Sequence, residues 1–447
     1  MDILRKLLLL NKPTRLLIKQ MKHFWFVTLL IIGFSSVLKL PTLNLSHNEG
    51  DEVAFWYLTK NWIETGQYTL KGSPLSTNPA YLSRANREMP VHPPMFPLLL
   101  RPFVERNAPD KAVIVSWLGH LLAILAVALM GRSLFLTYGL NPSALSPLFW
   151  IPLLGIATDP IMTYVSGILW IDNLHAGWAA LAVALTMMAR SAQHPKLLYL
   201  FAGILLGLAL LSKVTSGIII PIIIYIILVS ESDKKSKIQA LLLGAVPALV
   251  LSLPWYVPLY YTMGDIPLIS GGHPPEYQAM LDNMSPEQLA AYEESARCRF
   301  CETAGNSPWY YTIAKLPLIA PLVLLGFVFY LIFDFVYVRT LDKFKQLNFV
   351  IPFFWFLLVF SIAVSLHLVI HRRLTILVAS IYVMFYMLIV FSEKYRPLKK
   401  YQNPLLLLGS ISIIYGAITG SYYLFKGNYA EIFSIPELIG LVKLWGG

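Results

Sequence analysis

Long apolar runs separated by short polar breaks dominate the pattern of this chain. A helix that crosses a bilayer needs about 20 mostly apolar residues, and eleven runs come near that length. The candidate spans are residues 24–41, 111–130, 144–158, 171–189, 197–212, 216–230, 238–261, 310–333, 348–367, 374–392 and 403–425. The third, fifth and sixth runs are short, so a count of 11–13 fits the sequence. The pattern predicts an all-α polytopic membrane protein with a single integral-membrane domain, residues 1–447.

The distribution of basic residues predicts the orientation of these spans. Cytoplasmic loops of membrane proteins are enriched in Lys and Arg, and the tail before the first run carries six such residues. Counted from a cytoplasmic N-terminus, the short loops rich in Lys and Arg all fall on the same side. The two long loops, residues 42–110 and 262–309, are then extracytoplasmic. The sequence thus indicates an integral protein of the plasma (inner) membrane whose first run is a retained signal anchor.

The amino-acid composition agrees with a membrane protein and argues against a nucleic-acid-binding protein. The 447 residues are 57% hydrophobic and 13% charged, with a mean hydropathy of +0.62, so the bilayer is the expected solvent. A net charge of +11 is also found in nucleic-acid-binding proteins, but the basic residues here recur in short loops between spans, so no nucleic-acid partner is expected. Two cysteines, Cys298 and Cys301, lie in the second long loop; a local disulfide is favoured there, and a weak zinc site with His273 and Glu302 is the alternative.

Two basic positions break the charge rule because they lie at outer membrane ends. They are Lys213 in "LLSKVTSG" and the pair Arg372–Arg373 in "IHRRLTIL". A cation near the bilayer centre costs about 2.5–3.5 kcal/mol on insertion scales and often marks a function. Snorkelling to the headgroups explains Lys213 equally well. The arginine pair is harder to explain in that way, and it indicates an anionic ligand approaching from the outer leaflet.

The first long loop places acids and aromatic residues directly after the first span, in "HNEGDEVAFWYLTKNWIETGQY", residues 47–68. Ser46 and Glu49 fit a capping box and Gly66 a helix stop, which predicts an amphipathic helix of about 18 residues along the membrane surface. Asp51 and Glu52 fall in or near its first turn. Neighbours on a helix point about 100° apart, so we expect one acid to face a cavity and the other to orient the loop.

Two other interpretations of these acids stay open. Acids at a helix start are often capping residues, which accounts for Glu49. His47, Glu49 and Asp51 also offer nitrogen and oxygen ligands to a metal, although their spacing matches no metal motif. We therefore rank metal binding below acid–base chemistry.

A second segment of the same loop reads "MPVHPPMFPLLL", residues 89–100. The Pro-Pro pair forces an extended backbone and ends any preceding helix. The apolar run that follows is too short to span and is expected to re-emerge near Arg101. His92 lies on this stiff hinge, in the same loop as the carboxylates.

These segments together resemble the first outer loop of the C-type (GT-C) glycosyltransferases, and more narrowly the branch of protein O-mannosyltransferases and lipid A aminoarabinose transferases. That branch has an Asp-Glu pair, an aromatic helix ending in Gly-x-Tyr, and a Lys- or His-Pro-Pro segment. "LLGLALLSKVTSGIIIPI", "NSPWYYTIAKLP" and "HRRLTILVASIY" are further similarities. The resemblance implies an inverting transferase that moves a sugar from a polyprenyl-phosphate donor to an extracytoplasmic hydroxyl of a protein, lipid A or another glycolipid. No cofactor or metal is obligatory in that chemistry.

The resemblance also implies roles for individual residues. Asp51 takes the position of the general base within the Asp51–Glu52 pair. The candidates for binding the donor phosphate are Arg373, Arg372, Lys213 and His92. A second acid is expected at the outer end of a later span, where Asp172 in "ILWIDNLHAGW" is preferred to Asp159 in "ATDPIM". A simple helix cap explains Asp172 almost as well, and an Asp-Pro turn explains Asp159.

The sequence departs from the family pattern at four positions. Ala54 and His92 stand where the aminoarabinose branch has arginine and lysine, and Thr375 and Val378 lie where that branch keeps a proline. These differences argue against an aminoarabinose transferase.

Three rival functions differ in what they require of the sequence. A transporter or flippase for a lipid-linked sugar tends to show repeats in matching halves, and none is visible. A glycan polymerase or ligase typically carries its arginines in a late outer loop, whereas the acids here follow the first span. A scaffold subunit would leave the outer cations without an anion to bind.

Overall fold

The computed structural model describes residues 12–44, 50–77, 92–140, 147–231, 233–263, 284–287, 355, 375–394, 399–400 and 402–426. Regular structure in these residues is helical throughout. The α-helices are α1 (Lys12–Lys39), α2 (Gly50–Thr65), α3 (Met95–Val104), α4 (Pro109–Ala112), α5 (Ile114–Thr137), α6 (Pro147–Ala157), α7 (Pro160–Ser166), α8 (Asp172–Ala189), α9 (Pro195–Ser212), α10 (Ile220–Ser230), α11 (Lys234–Met263), α12 (Thr375–Lys394) and α13 (Gln402–Lys426). Short 3-10 helices cover Leu40–Asn44, Pro74–Thr77 and Val214–Ile219.

Seven helical segments of the described residues are long and apolar enough to cross a membrane. They are His23–Leu43, Pro109–Thr137, Leu148–Ser166, Pro195–Ser212, Lys234–Thr262, Thr375–Lys394 and Gln402–Gly420. Each overlaps one predicted span, although the third continues through α7 to Ser166, beyond its predicted end at residue 158. The prediction of an all-α polytopic membrane protein is confirmed.

The other four predicted spans differ in outcome. The fourth is α8, which is fully helical but opens on polar residues and is not one of the seven. The sixth is a shorter apolar helical segment, Val214–Ser230. The runs 310–333 and 348–367, apart from Trp355, lie outside the described residues, so the total number of spans stays a prediction.

Glycines let the central helices approach closely. Helix α8 packs on α5 and α9, and α9 packs on α11. A Cβ atom on Gly119 of α5 would overlap the backbone of Asn173 in α8, and one on Gly177 would overlap the carbonyl of Gly119. Gly203 of α9 meets the backbone of Gly244 in α11 in the same way. Small residues at such crossings maximise van der Waals contact, which replaces the hydrophobic driving force inside a membrane.

The third span is broken into α6 and α7 at Thr158 and Asp159. Pro160 cannot donate a backbone hydrogen bond, and Asp159 caps the second half: its Oδ1 accepts from the Met162 amide at 3.0 Å. The other carboxylate oxygen accepts from the Tyr382 hydroxyl at 2.9 Å. Both side chains are buried, so this aspartate joins the broken span to α12.

The described parts of the first loop, residues 50–77 and 92–108, form a cap on one end of the bundle. Helix α2 runs from Gly50 to Thr65 and stops at Gly66, whose φ of +72° is the left-handed conformation expected at a helix end. This confirms the predicted stop, while the capping-box residues Ser46 and Glu49 lie outside the described residues. Helix α3 follows the Pro-Pro pair and, at ten residues, is too short to span, as predicted.

Apolar side chains join this cap to the bundle. Phe55 of α2 and Phe96 of α3 form one buried cluster with Leu169, Ile171 and residues of α5 and α8. The rings of Phe55 and Phe96 meet edge to face with centroids 4.9 Å apart. Their contact with the segment before α8 decides where the acids at the start of α2 are held.

Candidate active site

The two acids at the start of α2 occupy different environments. Glu52 is buried with 3% of its surface exposed, and its Oε1 accepts a hydrogen bond from the Leu169 amide at 2.8 Å. Asp51 is half-buried. A buried backbone amide needs an acceptor, and Glu52 supplies one for the turn that leads into α8. Glu52 therefore ties the loop to the bundle, and Asp51 is the acid at the partly open surface.

A buried ion pair joins the two later candidates, Asp172 and Lys213. The Lys213 Nζ donates to the Asp172 Oδ1 at 2.6 Å, with 13% and 3% of the two side chains exposed. Asp172 is the first residue of α8, and Lys213 directly follows the last residue of α9. The helices are antiparallel neighbours, so the start of one meets the end of the other.

The ion pair bears on two alternatives that the sequence left open: Asp172 as a helix cap, and Lys213 as a lysine that snorkels to the headgroups. Asp172 does not fill the N-cap position, which is Ile171; its carboxylate instead holds the lysine. Lys213 leaves the helix with an extended backbone, φ −156° and ψ 131°. Its amine is thus turned toward α8 rather than reaching along the helix to the headgroups.

The start of α12 reaches the same position. The hydroxyl of Thr375, the first residue of α12, donates to the Asp172 carbonyl at 3.0 Å. Arg372 and Arg373 precede this threonine in the chain but lie outside the described residues. We name the membrane end that holds Glu52, Leu169, Asp172, Lys213 and Thr375 the loop face.

His92 is held against α2 by contacts on both its ring and its backbone. The ring meets Phe55 edge to face at 5.1 Å, and the carbonyl accepts from the Tyr68 hydroxyl at 3.0 Å. Burial raises the pKa of this tyrosine well above its ordinary value, so its hydroxyl stays a donor. The structure thus brings His92 to the helix that carries Asp51.

Trp255, which the sequence did not single out, joins the aromatic residues of the first loop around Tyr68. Tyr68 packs edge to face between Trp62, at 5.5 Å, and Trp255 of α11, at 5.4 Å. Trp255 follows a proline in "SLPWYVP". Aromatic residues near a membrane interface are common, so no local signal marks this one as a partner of the loop.

Two further polar residues lie one turn behind the ion pair. His175 Nδ1 is 3.1 Å from the Ser216 hydroxyl, and both side chains are buried. Ser216 also donates to the Ala209 carbonyl of α9 at 3.0 Å. They reinforce the contact between α8 and the turn after Lys213.

Lys39 is another cation that the charge pattern did not single out. It is the last residue of α1, is fully buried, and its Nζ donates to the Ser35 carbonyl one turn earlier at 2.8 Å. Ser35 in turn donates to the Ala157 carbonyl at 3.0 Å. This lysine therefore supports the packing of α1 on α6.

Asp159, the competitor of Asp172, lies at the break between α6 and α7. Its carboxylate accepts from Met162 and Tyr382, within the buried core of the bundle. These contacts are those of a structural cap, and they favour Asp172 as the acid of the loop face.

A metal site is the remaining alternative from the sequence. Among the residues that the structure describes, no three His, Cys, Asp or Glu side chains cluster closely enough to hold an ion. His47, Glu49, Cys298 and Cys301 lie outside that part of the chain, so the alternatives that involve them stay predictions.

Comparison with known proteins supports the fold in two ways. Residues 91–257 match the family model described as dolichyl-phosphate-mannose-protein mannosyltransferase. That segment contains His92, Asp172 and Lys213. A search of curated protein sequences finds no match.

Solved structures match over most of the chain. The apo oligosaccharyltransferase of Archaeoglobus fulgidus gives a TM-score of 0.52 at 15% identity, covering 89% of this chain and 56% of that one. The same organism's oligosaccharyltransferase AglB, in complex with an inhibitory peptide and a dolichol-phosphate, gives 0.51 at 15% identity, with coverages of 90% and 56%. The chain thus spans a little over half the length of these proteins.

A third structure is more distant. ArnT from Cupriavidus metallidurans gives a TM-score of 0.40 at 15% identity, covering 83% of this chain and 77% of that one; this similarity carries no argument about residues. The matched segment and the shared fold confirm the resemblance drawn from the sequence: the chain has a GT-C type of fold.

Proposed function

We propose that this protein is an inverting glycosyltransferase. It moves a sugar from a polyprenyl-phosphate donor to a hydroxyl acceptor on the extracytoplasmic side. The acceptor classes are those that the sequence leaves open: a protein, lipid A or another glycolipid. The description of the matched family names a dolichyl-phosphate sugar and a protein, and AglB, which shares the fold, was solved with dolichol-phosphate and a peptide.

The hydrogen bond from Leu169 to Glu52 is the observation that carries the proposal. It fixes the start of α2 to the turn that leads into α8, only three residues before Asp172. The first-loop acids and the buried ion pair therefore belong to one end of the bundle. A transferase needs a base and a cation beside the same reacting bond, and this end supplies both.

Asp51 is proposed as the general base. In the reaction the acceptor oxygen attacks the anomeric carbon while the bond from that carbon to the phosphate oxygen breaks. The acceptor proton passes to the carboxylate of Asp51, and the phosphate leaves on the lipid. Such assistance contributes typically about 10²–10⁴-fold. Asp51 suits the role better than Glu52 does, because Glu52 is buried and holds a backbone amide.

The leaving phosphate is proposed to bind cations at the loop face. Lys213 is held in place by Asp172, and a cation that is preorganised before the reaction stabilises developing charge most strongly. Arg373 and Arg372 are proposed to add bidentate contacts, which arginine makes to phosphate more readily than lysine does. We assign Asp172 the task of positioning Lys213, and His92 that of a further phosphate contact beside α2.

Transfer assays with purified protein test the proposal. A radiolabelled polyprenyl-phosphate sugar is supplied with candidate acceptors, and the label is followed into product. We expect Asp51→Asn to lower turnover about 10²–10⁴-fold while donor binding and thermal stability change little. Near-normal turnover in that variant would remove Asp51 from the mechanism.

Asp110→Asn is the matched control. Asp110 also lies in the first turn of a helix in the same long loop, is also half-buried, and has no proposed role. Its turnover should stay near that of the wild type. Label that crosses the membrane of a proteoliposome without bond cleavage would instead support a flippase.

A further inference from the structure

A groove opens between α9 and α11 at the membrane end opposite the loop face. It is an open depression with a volume of about 750 Å³, within the range of roughly 300–1,000 Å³ found for small-molecule sites. Leu200 lines it from α9, 13 residues before Lys213. At 1.5 Å per residue the two positions are about 20 Å apart along the helix. The groove is therefore separate from the candidate active site.

The walls of the groove are apolar along one face of α11. Ile238, Leu242 and Val246 follow each other at four-residue intervals and are 48%, 56% and 50% exposed. Pro247 closes this row, and Gly203 and Gly244 hold the two helices in backbone contact beside it. An acyl chain is the apolar group that a bilayer supplies to such a surface.

The polar end of the groove is basic. Lys234 and Lys235, in the first turn of α11, line it and are exposed. Neither makes an ion pair with another described residue. The two acids closest in sequence are engaged elsewhere: Asp233 accepts from the Ser236 amide at 2.9 Å, and Glu231 accepts from the Tyr199 hydroxyl at 2.7 Å.

We propose that this groove binds one anionic phospholipid, with its phosphate at Lys234 and Lys235 and an acyl chain along Leu242. Charge complementarity identifies the occupant, because basic pockets between membrane helices bind anionic headgroups. A cavity with a charged end distinguishes the site from the general lipid contact of exposed faces such as Val250, which is 65% exposed and lines no part of the groove. The proposal is independent of the proposed transfer reaction.

Native mass spectrometry of the full chain tests the site. The protein is titrated with phosphatidylglycerol and with phosphatidylcholine of the same chain length. The wild type should retain one phosphatidylglycerol molecule in preference to phosphatidylcholine. In the double variant Lys234→Gln/Lys235→Gln this preference should be about 30-fold weaker than in the wild type. Each lysine near the surface contributes about 1 kcal/mol, and 1.4 kcal/mol corresponds to a tenfold change in affinity. Equal retention of both lipids by the wild type would overturn the proposal.

Two controls separate the site from general surface attraction. Lys196→Gln/Lys237→Gln removes the same charge from the same membrane end, outside the groove, and should keep the preference. Leu242→Trp should reduce retention of phosphatidylglycerol by filling the groove. Leu249→Trp, at a similarly exposed position of α11 outside it, should not. A loss of preference in the lysine control as large as in the test variant, or no effect of Leu242→Trp, would refute a defined site.

Discussion

Glu52 and Asp51 are neighbours in the chain, but Glu52 is buried whereas Asp51 is half-buried. The longer side chain turns inward to Leu169, whereas the shorter one stays at the half-buried surface. The spacing of about 100° between helical neighbours predicted separate tasks for them. Which acid turns inward depends on Phe55 and the cluster that seats α2, and that information lies in distant residues.

We expect Glu52→Ala to loosen the attachment of the first loop. The Leu169 amide would lose its acceptor in a buried setting, which costs about 1–3 kcal/mol. Hydrogen exchange should accelerate at residues 167–172, and transfer activity should fall. Glu52→Gln keeps an acceptor oxygen and should restore much of the protection.

Glu64→Ala is the control for this variant. Glu64 lies at the exposed end of α2 and forms a 3.9 Å ion pair with Lys60. Such surface pairs contribute about 0–1 kcal/mol, so exchange at residues 167–172 should not change. If Glu64→Ala and Glu52→Ala had equal effects, the specific tie to Leu169 would be excluded.

The Lys213–Asp172 pair allows structure and phosphate binding to be separated. Lys213→Met removes one partner of the buried ion pair with Asp172, and breaking a buried pair in this way costs about 3–5 kcal/mol. The double variant Asp172→Asn/Lys213→Met removes both charges and should recover most of that stability. Thermal unfolding in detergent measures this.

Activity should follow a different pattern in the same variants. If Lys213 binds the donor phosphate, the apparent KM for the donor stays raised in the double variant although the fold is restored. Recovery of both stability and KM would reduce the pair to a structural role.

At the level of helices, much of the fold could be predicted from local sequence. Span-length apolar runs identified each of the seven apolar helical segments, and Gly66 marked the end of α2. The pairing of Asp172 with Lys213 could not be predicted, because 41 residues separate them and only the packing of α8 on α9 brings their ends together. The contact of Trp255 with Tyr68 was missed for the same reason.

The α5–α8 crossing gives a prediction at this scale. Gly119→Ala would place a methyl group against the backbone of Asn173 and force α8 away. Overpacking of this kind typically costs about 1–3 kcal/mol. Asp172 precedes Asn173, so we expect turnover to fall along with the melting temperature.

Gly33→Ala of α1 is the matched substitution, since a Cβ atom there meets nothing within 4 Å. This substitution should leave turnover intact. Because alanine reduces the backbone freedom of the unfolded chain, the stability should be equal or slightly higher. A similar loss of activity in both variants would show that close packing at Gly119 is not what positions α8.

For the whole molecule, the orientation in the membrane stays a prediction of the charge pattern. A membrane-impermeant maleimide tests it in cells after both native cysteines are replaced by serine. Gln67→Cys, exposed in the first loop, should react in intact cells; Lys196→Cys, exposed at the start of α9, should react only after permeabilisation. The reverse pattern would place the loop face in the cytoplasm.

The glycine contact between α9 and α11 has a mechanical consequence. Because the backbones of Gly203 and Gly244 are in close contact, we expect the two helices to move together rather than to slide along each other. One end of this helix pair carries the Lys213 amine, and the other end carries the first turn of α11. A tilt of the pair at one membrane surface should therefore also displace its opposite end, about 20 Å away.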